Sequence, residues 1–234
     1  MYKNHIVLDF EMNPVAKEHK SVRKLLRNEI IEMGAVMLNE NYDIVDKFVC
    51  YICPQYNNKV TSFITNLTGI KTSDVYKANT FQTALKNLSE WIGEQKGTRI
   101  YSWSDVDLKQ LKKECSFKEI SFPKNMHRWI DLQAIYPRIT GLSKNHEQTA
   151  LKTATEQFGL TINPKKLHTA LYDAELTSEI LIPILTGDYC KQVQLLKETR
   201  SEEKKPLTQT LGDTYSILFK ELLKQLPSEN EQEL

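Results

Sequence analysis

The sequence has no apolar run approaching the ~18–20 residues of a membrane-spanning helix. Its opening residues, Met-Tyr-Lys-Asn-His, lack the apolar core of a secretory leader. No membrane partner is expected. Cysteine is sparse and scattered, at positions 50, 53, 115 and 190. Cys50 and Cys53 have a spacing that can hold a metal or a redox pair, but they sit in Phe-Val-Cys-Tyr-Ile-Cys, which reads as a strand. Positions i and i+3 of a strand face opposite sides, so no shared role is expected. This usage fits a reducing compartment, and the expected location is cytoplasmic. An excess of one charge is also missing: Lys and Arg total 31 against 30 Asp and Glu, for a net charge of +1. A protein that grips long duplexes without sequence preference is normally more basic, so any nucleic-acid contact should be a local patch. Internal repeats are absent. What remains is 234 residues, 40% hydrophobic and 26% charged, enough for one globular domain with a sizeable core and an appendage.

The chain is organised around His5–Glu11. Ile6, Val7 and Leu8 read as a buried strand. Asp9 and Glu11 follow it, and i and i+2 of a strand share a face. Two carboxylates held side by side repel unless a cation lies between them, so a divalent metal accounts for the pair. An acidic strand end facing water accounts for it as well.

Residues 12–28 carry Lys17, His19, Lys20, Arg23, Lys24 and Arg27 directly downstream of that pair. The position suits a phosphate backbone, and the composition equally suits a solvated face. Residues 29–38 and 44–52 form two further apolar runs joined at Asn39-Glu40-Asn41, an antiparallel hairpin that makes a three-stranded start to a sheet. Val60, Phe63, Ile64 and Leu67 have helical spacing before Gly69, which places Phe63 in the core unless it serves as a base-stacking surface. An amphipathic helix is predicted over 81–95, stopped by Gly97, and a fourth strand over 98–103. Ser104 or Asp105 caps the next helix, with Asp107 in its first turn, where the helix dipole alone would explain a carboxylate. A short fifth strand at 129–132 leads into a helical turn ended by Pro137, and residues 149–158 form a helix stopped by Gly159. A last core helix opens at His168–Asp173 and runs to about residue 185. Residues 189–207 are polar and charged and read as a linker or a frayed helix, and 211–226 form an amphipathic helix that folds back or packs on a partner.

The acidic pair after the first strand, the Asp opening the helix after the fourth strand, and His168-x-x-x-x-Asp173 occur in one order. Together with Glu29-Ile-Ile-Glu-Met-Gly-Ala-Val, Phe63, Leu67-Thr-Gly-Ile70 and Trp103-Ser-Asp-Val-Asp107, they resemble the DEDDh branch of the DnaQ-like 3′–5′ exonucleases. Asp9-Phe10-Glu11 and Gln148-Thr-Ala-Leu151 are most similar to the Eri-like group, which includes histone-mRNA and small-RNA trimming enzymes and the bacterial KapD type. The resemblance runs from about residue 4 to 186. It implies a ribonuclease H-like α/β fold: a five-stranded mixed sheet, its first three strands antiparallel, flanked by helices. Residues 1–187 would be the exonuclease domain, and 188–234 a linker and C-terminal helix.

The same resemblance implies that Asp9, Glu11, Asp107 and Asp173 hold two divalent ions, Mg²⁺ or Mn²⁺, with His168 as general base. Asp105 is the alternative to Asp107, which is preferred because Leu111 then falls where the family has a leucine. Met12, Phe63 and Thr68 would lie near the 3′-terminal nucleotide. Hard oxygen ligands suit such ions, and an imidazole of reference pKa ~6.5 can accept a water's proton near neutrality. Activity should fall below pH ~6, and removing the base should cost ~10²–10⁴ in rate. The expected substrate is the 3′ end of single-stranded RNA or DNA, RNA favoured. The alternatives are a DNA repair or proofreading exonuclease, and a noncatalytic binding module tethered through a partner or a second copy at 211–226.

Overall fold

The computed structural model describes residues 2–142 and 148–189, so the amphipathic 211–226 segment lies outside the described residues. Five strands form one sheet: β1 (Asn4–Pro14), β2 (Asn28–Leu38), β3 (Ile44–Tyr51), β4 (Thr98–Ser102) and β5 (Trp129–Asp131). Their order is β3-β2-β1-β4-β5. β1 pairs antiparallel with β2, and β2 with β3, whereas β4 runs parallel to both β1 and β5. β1 is thus central, flanked by one antiparallel and one parallel neighbour. It is longer than expected and carries Asp9 and Glu11 within its body. A bulge between Glu11 and Met12 shifts the register just beyond them.

Alternation along β1 divides its side chains. Ile6, Leu8 and Phe10 enter a core with Phe81, Leu85 and Leu88 of α4 (Phe81–Ile92) and with Leu111 and Cys115 of α5 (Val106–Phe117). Full burial of each large apolar side chain contributes ~1.5–3 kcal/mol, which anchors the strand bearing the carboxylates. The opposite face, on which Asp9 and Glu11 lie, meets α8 (Ala170–Thr186). Gly34 stands opposite Asp9 in the β1–β2 register, and a Cβ on it would lie 2.2 Å from the Ala170 carbonyl carbon and the Leu171 nitrogen. Only a residue without a side chain lets the start of α8 come this close.

The remaining helices are α1 (Lys20–Leu25), α2 (Ser62–Thr68), α3 (Thr72–Val75), α6 (Leu132–Thr140) and α7 (Leu151–Gln157). α4 stops at Gly93, in the left-handed region at φ 74°, and not at Gly97. Pro137 does not end a helix. It lies inside α6, which reaches Thr140 before Gly141 turns left-handed. Pro137 removes a single amide donor, and a nine-residue helix packed through Leu132, Tyr136 and Thr140 tolerates that. Among the described residues no helix is long and apolar enough to cross a membrane. Cys50, Cys53 and Cys115 are unpaired.

A buried ionic knot fastens α5 to β2. Lys118 Nζ lies 3.1 Å from Glu29 and 2.9 Å from Glu114, both carboxylates being fully buried. Glu29 accepts from the Gln55 and Tyr56 amides at 2.8 and 2.7 Å, and Glu114 accepts from the Ile30 amide at 2.9 Å. Burial works against the charge on Lys118, but the two carboxylates outweigh it and raise the ammonium's pKa.

Candidate active site

Three elements bring the acidic residues together. β1 supplies Asp9 and Glu11 on one face. The first turn of α5 supplies Asp107, whose Oδ1 accepts from the Phe10 amide at 3.2 Å, tying it to β1. The start of α8 supplies Asp173, and the residue that turns the chain into that helix is His168. All five line one cavity of about 500 Å³. Asp105 does not line it: its carboxylate pairs with Lys109 instead.

His168 has φ 63°, a left-handed conformation that costs a non-glycine residue ~1–3 kcal/mol. The turn holds the imidazole at the mouth, half exposed, with Nδ1 4.0 Å from Asp173 Oδ2. The same Asp173 accepts from the His168 backbone amide at 3.3 Å, so one carboxylate fixes both the turn and its own place in the site. Their five-residue separation is too long to overlay on a helix, and the turn makes up the difference.

The electrostatics are one-sided. Burial pushes Asp9 well above the usual carboxylate range, and Asp107, Glu11, Asp173 and Glu32 add to the shift. Glu11 is raised to about 9 by burial and then by Asp173, Glu32 and Asp107. Asp107 rises to about 7, chiefly through burial, although the Phe10 amide opposes the shift. Asp173 is raised by burial and lowered in part by His168. No lysine or arginine lines the cavity among the described residues. Such a cluster either holds protons or holds a cation. Its donors are hard oxygens plus one imidazole, and ligand atoms of Glu11, His168 and Asp173 lie within 4.8 Å of one another. That set fits a divalent ion.

Of the residues expected to meet the substrate, Met12 and Phe63 line the cavity. The helical spacing around Phe63 favoured the core, yet it is 71% exposed. α2 buries Ile64 and Thr68 instead, leaving Phe63 on the rim of the site. Thr68 is not among the lining residues. It is buried, its hydroxyl donates to the Ile64 carbonyl at 2.9 Å, and it accepts from the Ile70 amide at 3.1 Å. Those bonds close the end of α2.

Two neighbours were not singled out from sequence. Val106, exposed beside Asp107, lines the cavity. Its signal was adjacency to a ligand candidate. Glu32 lies directly opposite Glu11 in the register and is buried. Its Oε2 accepts from the Ala170 amide at 2.9 Å, capping the start of α8, and the nearby Tyr51 hydroxyl opposes in part the rise in its pKa that burial causes.

Residues 6–181 match the family model described as Exonuclease. The chain is 29% identical over 226 residues to ERI1 exoribonuclease 2 of Danio rerio, covering 88% of this chain and 39% of that protein. It is 28% identical over 165 residues to 3′-5′ exoribonuclease 1 of Rattus norvegicus, covering 68% of this chain and 47% of the relative. The chain thus spans less than half the length of either relative. The solved nuclease domain of 3′hExo, a DEDDh family member bound to rAMP, superposes with a TM-score of 0.68 at 25% identity, covering 80% of this chain and 93% of that one. With the family model spanning both ends of the sheet and every element that supplies the cavity, the chain belongs to the exonuclease family.

Proposed function

We propose that this protein is a metal-dependent 3′–5′ exonuclease that releases nucleoside 5′-monophosphates from the 3′ end of single-stranded RNA in preference to DNA. The observation that carries the reading is the convergence of Asp9, Glu11, Asp107, His168 and Asp173 on one cavity rimmed by the exposed Phe63 and Val106. The DEDDh family implies divalent metal ions, and the four carboxylates are the residues that would hold them. Two such ions, Mg²⁺ or Mn²⁺, when bound supply positive charge to the scissile phosphate and to the leaving oxygen.

The protein's own residues do the rest. His168 takes the proton of the attacking water, its ring 4.0 Å from the Asp173 carboxylate. Attack on phosphorus breaks the bond to the 3′-oxygen, which leaves on the shortened strand and takes a proton from solvent. Phe63 and Val106 offer apolar surface against the terminal base, and Met12 borders the same space. The preference for RNA is supported by relatives named as exoribonucleases.

Residues 1–187 would form the catalytic unit, with 211–226 taking a protein partner or a second copy. Unpaired cysteines fit a reducing, cytoplasmic setting.

A paired digestion tests the reading. Single-stranded RNA and DNA of one sequence, labelled at the 5′ end, are incubated with the full chain and Mg²⁺ or Mn²⁺, alongside Asp9→Ala. A ladder shortening from the 3′ end of RNA, absent in the variant, is expected. A ladder on DNA alone would move the protein to DNA repair or proofreading. No ladder on either, with metal bound, would leave a noncatalytic binding module.

A further inference from the structure

We infer that the loop between β1 and β2, residues 15–27, is a phosphate track that grips the single strand several nucleotides upstream of its 3′ end. The inference rests on the exonuclease reading above and extends it to a surface outside the cavity.

The cavity poses a problem for its own substrate. It is lined by carboxylates and by no lysine or arginine among the described residues, and a nucleic acid is a polyanion. The approaching strand needs positive potential close by. The loop supplies it with Lys17, Lys20, Arg23, Lys24 and Arg27 against the single acid Glu18, in a chain whose net charge is only +1. Five cations against one acid give this short segment +4, more than the net charge of the whole chain, so the rest of the chain is net negative.

Its placement is fixed by the sheet. The loop leaves β1 at Pro14 and returns to β2 at Asn28, and both residues line the cavity. It is pinned rather than trailing. The Val15 amide donates to the Arg27 carbonyl at 2.9 Å, closing the loop's base, and the Ala16 amide donates to the Tyr56 carbonyl at 3.1 Å. Val15 and Leu26 are buried as anchors, and the His19 ring meets Tyr56 edge-on at 5.6 Å. With these contacts made, Lys17, Lys20, Lys24 and Arg27 stand exposed. Arg23 is engaged with the Val15 carbonyl at 3.3 Å and belongs to the scaffold. The dipole of α1 would account for Arg23 and Lys24 in its last turn, but not for Lys17, Lys20 or Arg27.

The test compares the full chain with the triple variant Lys17→Gln, Lys20→Gln, Arg27→Gln. Equilibrium binding of a fluorescent single-stranded RNA 20-mer is measured in EDTA from 50 to 200 mM salt, so the result does not depend on turnover. Each lost phosphate contact should flatten the log–log salt dependence by ~0.7, or about 2 for three contacts, equivalent to roughly 20-fold in affinity over that salt range. Cleavage is then read on the 20-mer and on the p-nitrophenyl ester of thymidine 5′-monophosphate. KM for the 20-mer should rise with kcat unchanged, and cleavage of the small ester should be unaffected. An unaltered salt slope would overturn the inference and leave the loop a solvated face. Equal losses on the 20-mer and the ester would also overturn it, because the substitutions would then act through the cavity. A wild-type protein that binds with the expected salt slope but cuts neither substrate would count against the exonuclease reading and not against the track.

Discussion

Two buried acidic clusters among the described residues are built in opposite ways. At one edge of β2, Glu29 and Glu114 close on Lys118 with ion pairs of 3.1 and 2.9 Å, and backbone amides fill much of their remaining capacity. Where β1, α5 and α8 converge, Asp9, Glu11, Glu32, Asp107 and Asp173 crowd together, with no lysine or arginine lining the cavity among the described residues. The first cluster is balanced in part by the polypeptide, one ammonium serving two carboxylates. The second is left unbalanced, and the counter-charge must come from outside. The chain can satisfy buried carboxylates where it folds that way, so their accumulation without a cation marks a site and not an accident of packing.

The largest effect is expected from breaking the balanced cluster. Lys118→Met leaves two buried carboxylates unpaired and should cost ~3–5 kcal/mol of stability in urea denaturation. Activity per folded molecule should be unchanged. A loss under about 1 kcal/mol would show that Glu29 and Glu114 rest on their amide donors alone and that the contrast is overdrawn.

The unbalanced cluster should respond to what the balanced one ignores. A divalent ion at 100 times its Kd should stabilise the fold by ~2.7 kcal/mol, and Asp9→Ala should abolish the shift. Its pH dependence has a definite sign. Carboxylates raised in the fold, with Asp107 near 7 and Glu11 near 9, bind more protons folded than unfolded. Metal-free protein should therefore lose stability as pH climbs from the ordinary carboxylate value of ~4 toward those values. Saturating metal should largely remove that slope. A metal-free stability profile that is flat across this window would mean that the carboxylates do not crowd as the structure has them.

Gly34→Ala should separate stability from activity in the reverse sense to Lys118→Met. The added Cβ meets backbone of Ala170 and Leu171, which cannot swing aside as a side chain would. Overpacking of this kind costs ~1–3 kcal/mol. The displaced element carries Asp173 and follows His168, so kcat should fall by more than the lost stability explains. Thermal denaturation and turnover measured on one preparation decide it, and equal kcat would show that α8 recovers its place.

Much of the site was legible because its signals are local. Two-residue alternation put Asp9 and Glu11 on one face, whereas Asp107 was preferred to Asp105 only through the family resemblance, which places a leucine where Leu111 stands. His168 and Asp173 were legible as a pattern, but the left-handed turn that joins them was not, since it is a conformation and not a residue type. Glu32 was hidden for a different reason. Its importance lies in standing opposite Glu11, and register belongs to the pairing of two strands. Phe63 misled because helical spacing says which residues share a face, not whether that face is covered. The pairing of Lys118 with Glu29 spans 89 residues of chain, and no periodicity records it.

The finest test of the contrast is Glu32, which belongs to both descriptions. It is a fifth carboxylate facing the cluster, yet its hydrogen bond is that of a cap, from the Ala170 amide at 2.9 Å, with the Tyr51 hydroxyl nearby favouring its charged form. If its work is to seat α8, an uncharged oxygen serves the Ala170 amide as well as a charged one does. Glu32→Gln should then keep the helix start in place and lower metal affinity or activity by less than the ~10–100-fold typical of losing a residue that orients ligands. Glu32→Ala removes the acceptor itself and should reach that range, with Tyr51→Phe falling between wild type and Glu32→Gln. Calorimetric metal titration of the three variants reads the order directly. Loss of a bound ion in Glu32→Gln, as in Asp9→Ala, would instead make Glu32 a ligand, and the unbalanced cluster would have five carboxylates serving its cation and not four.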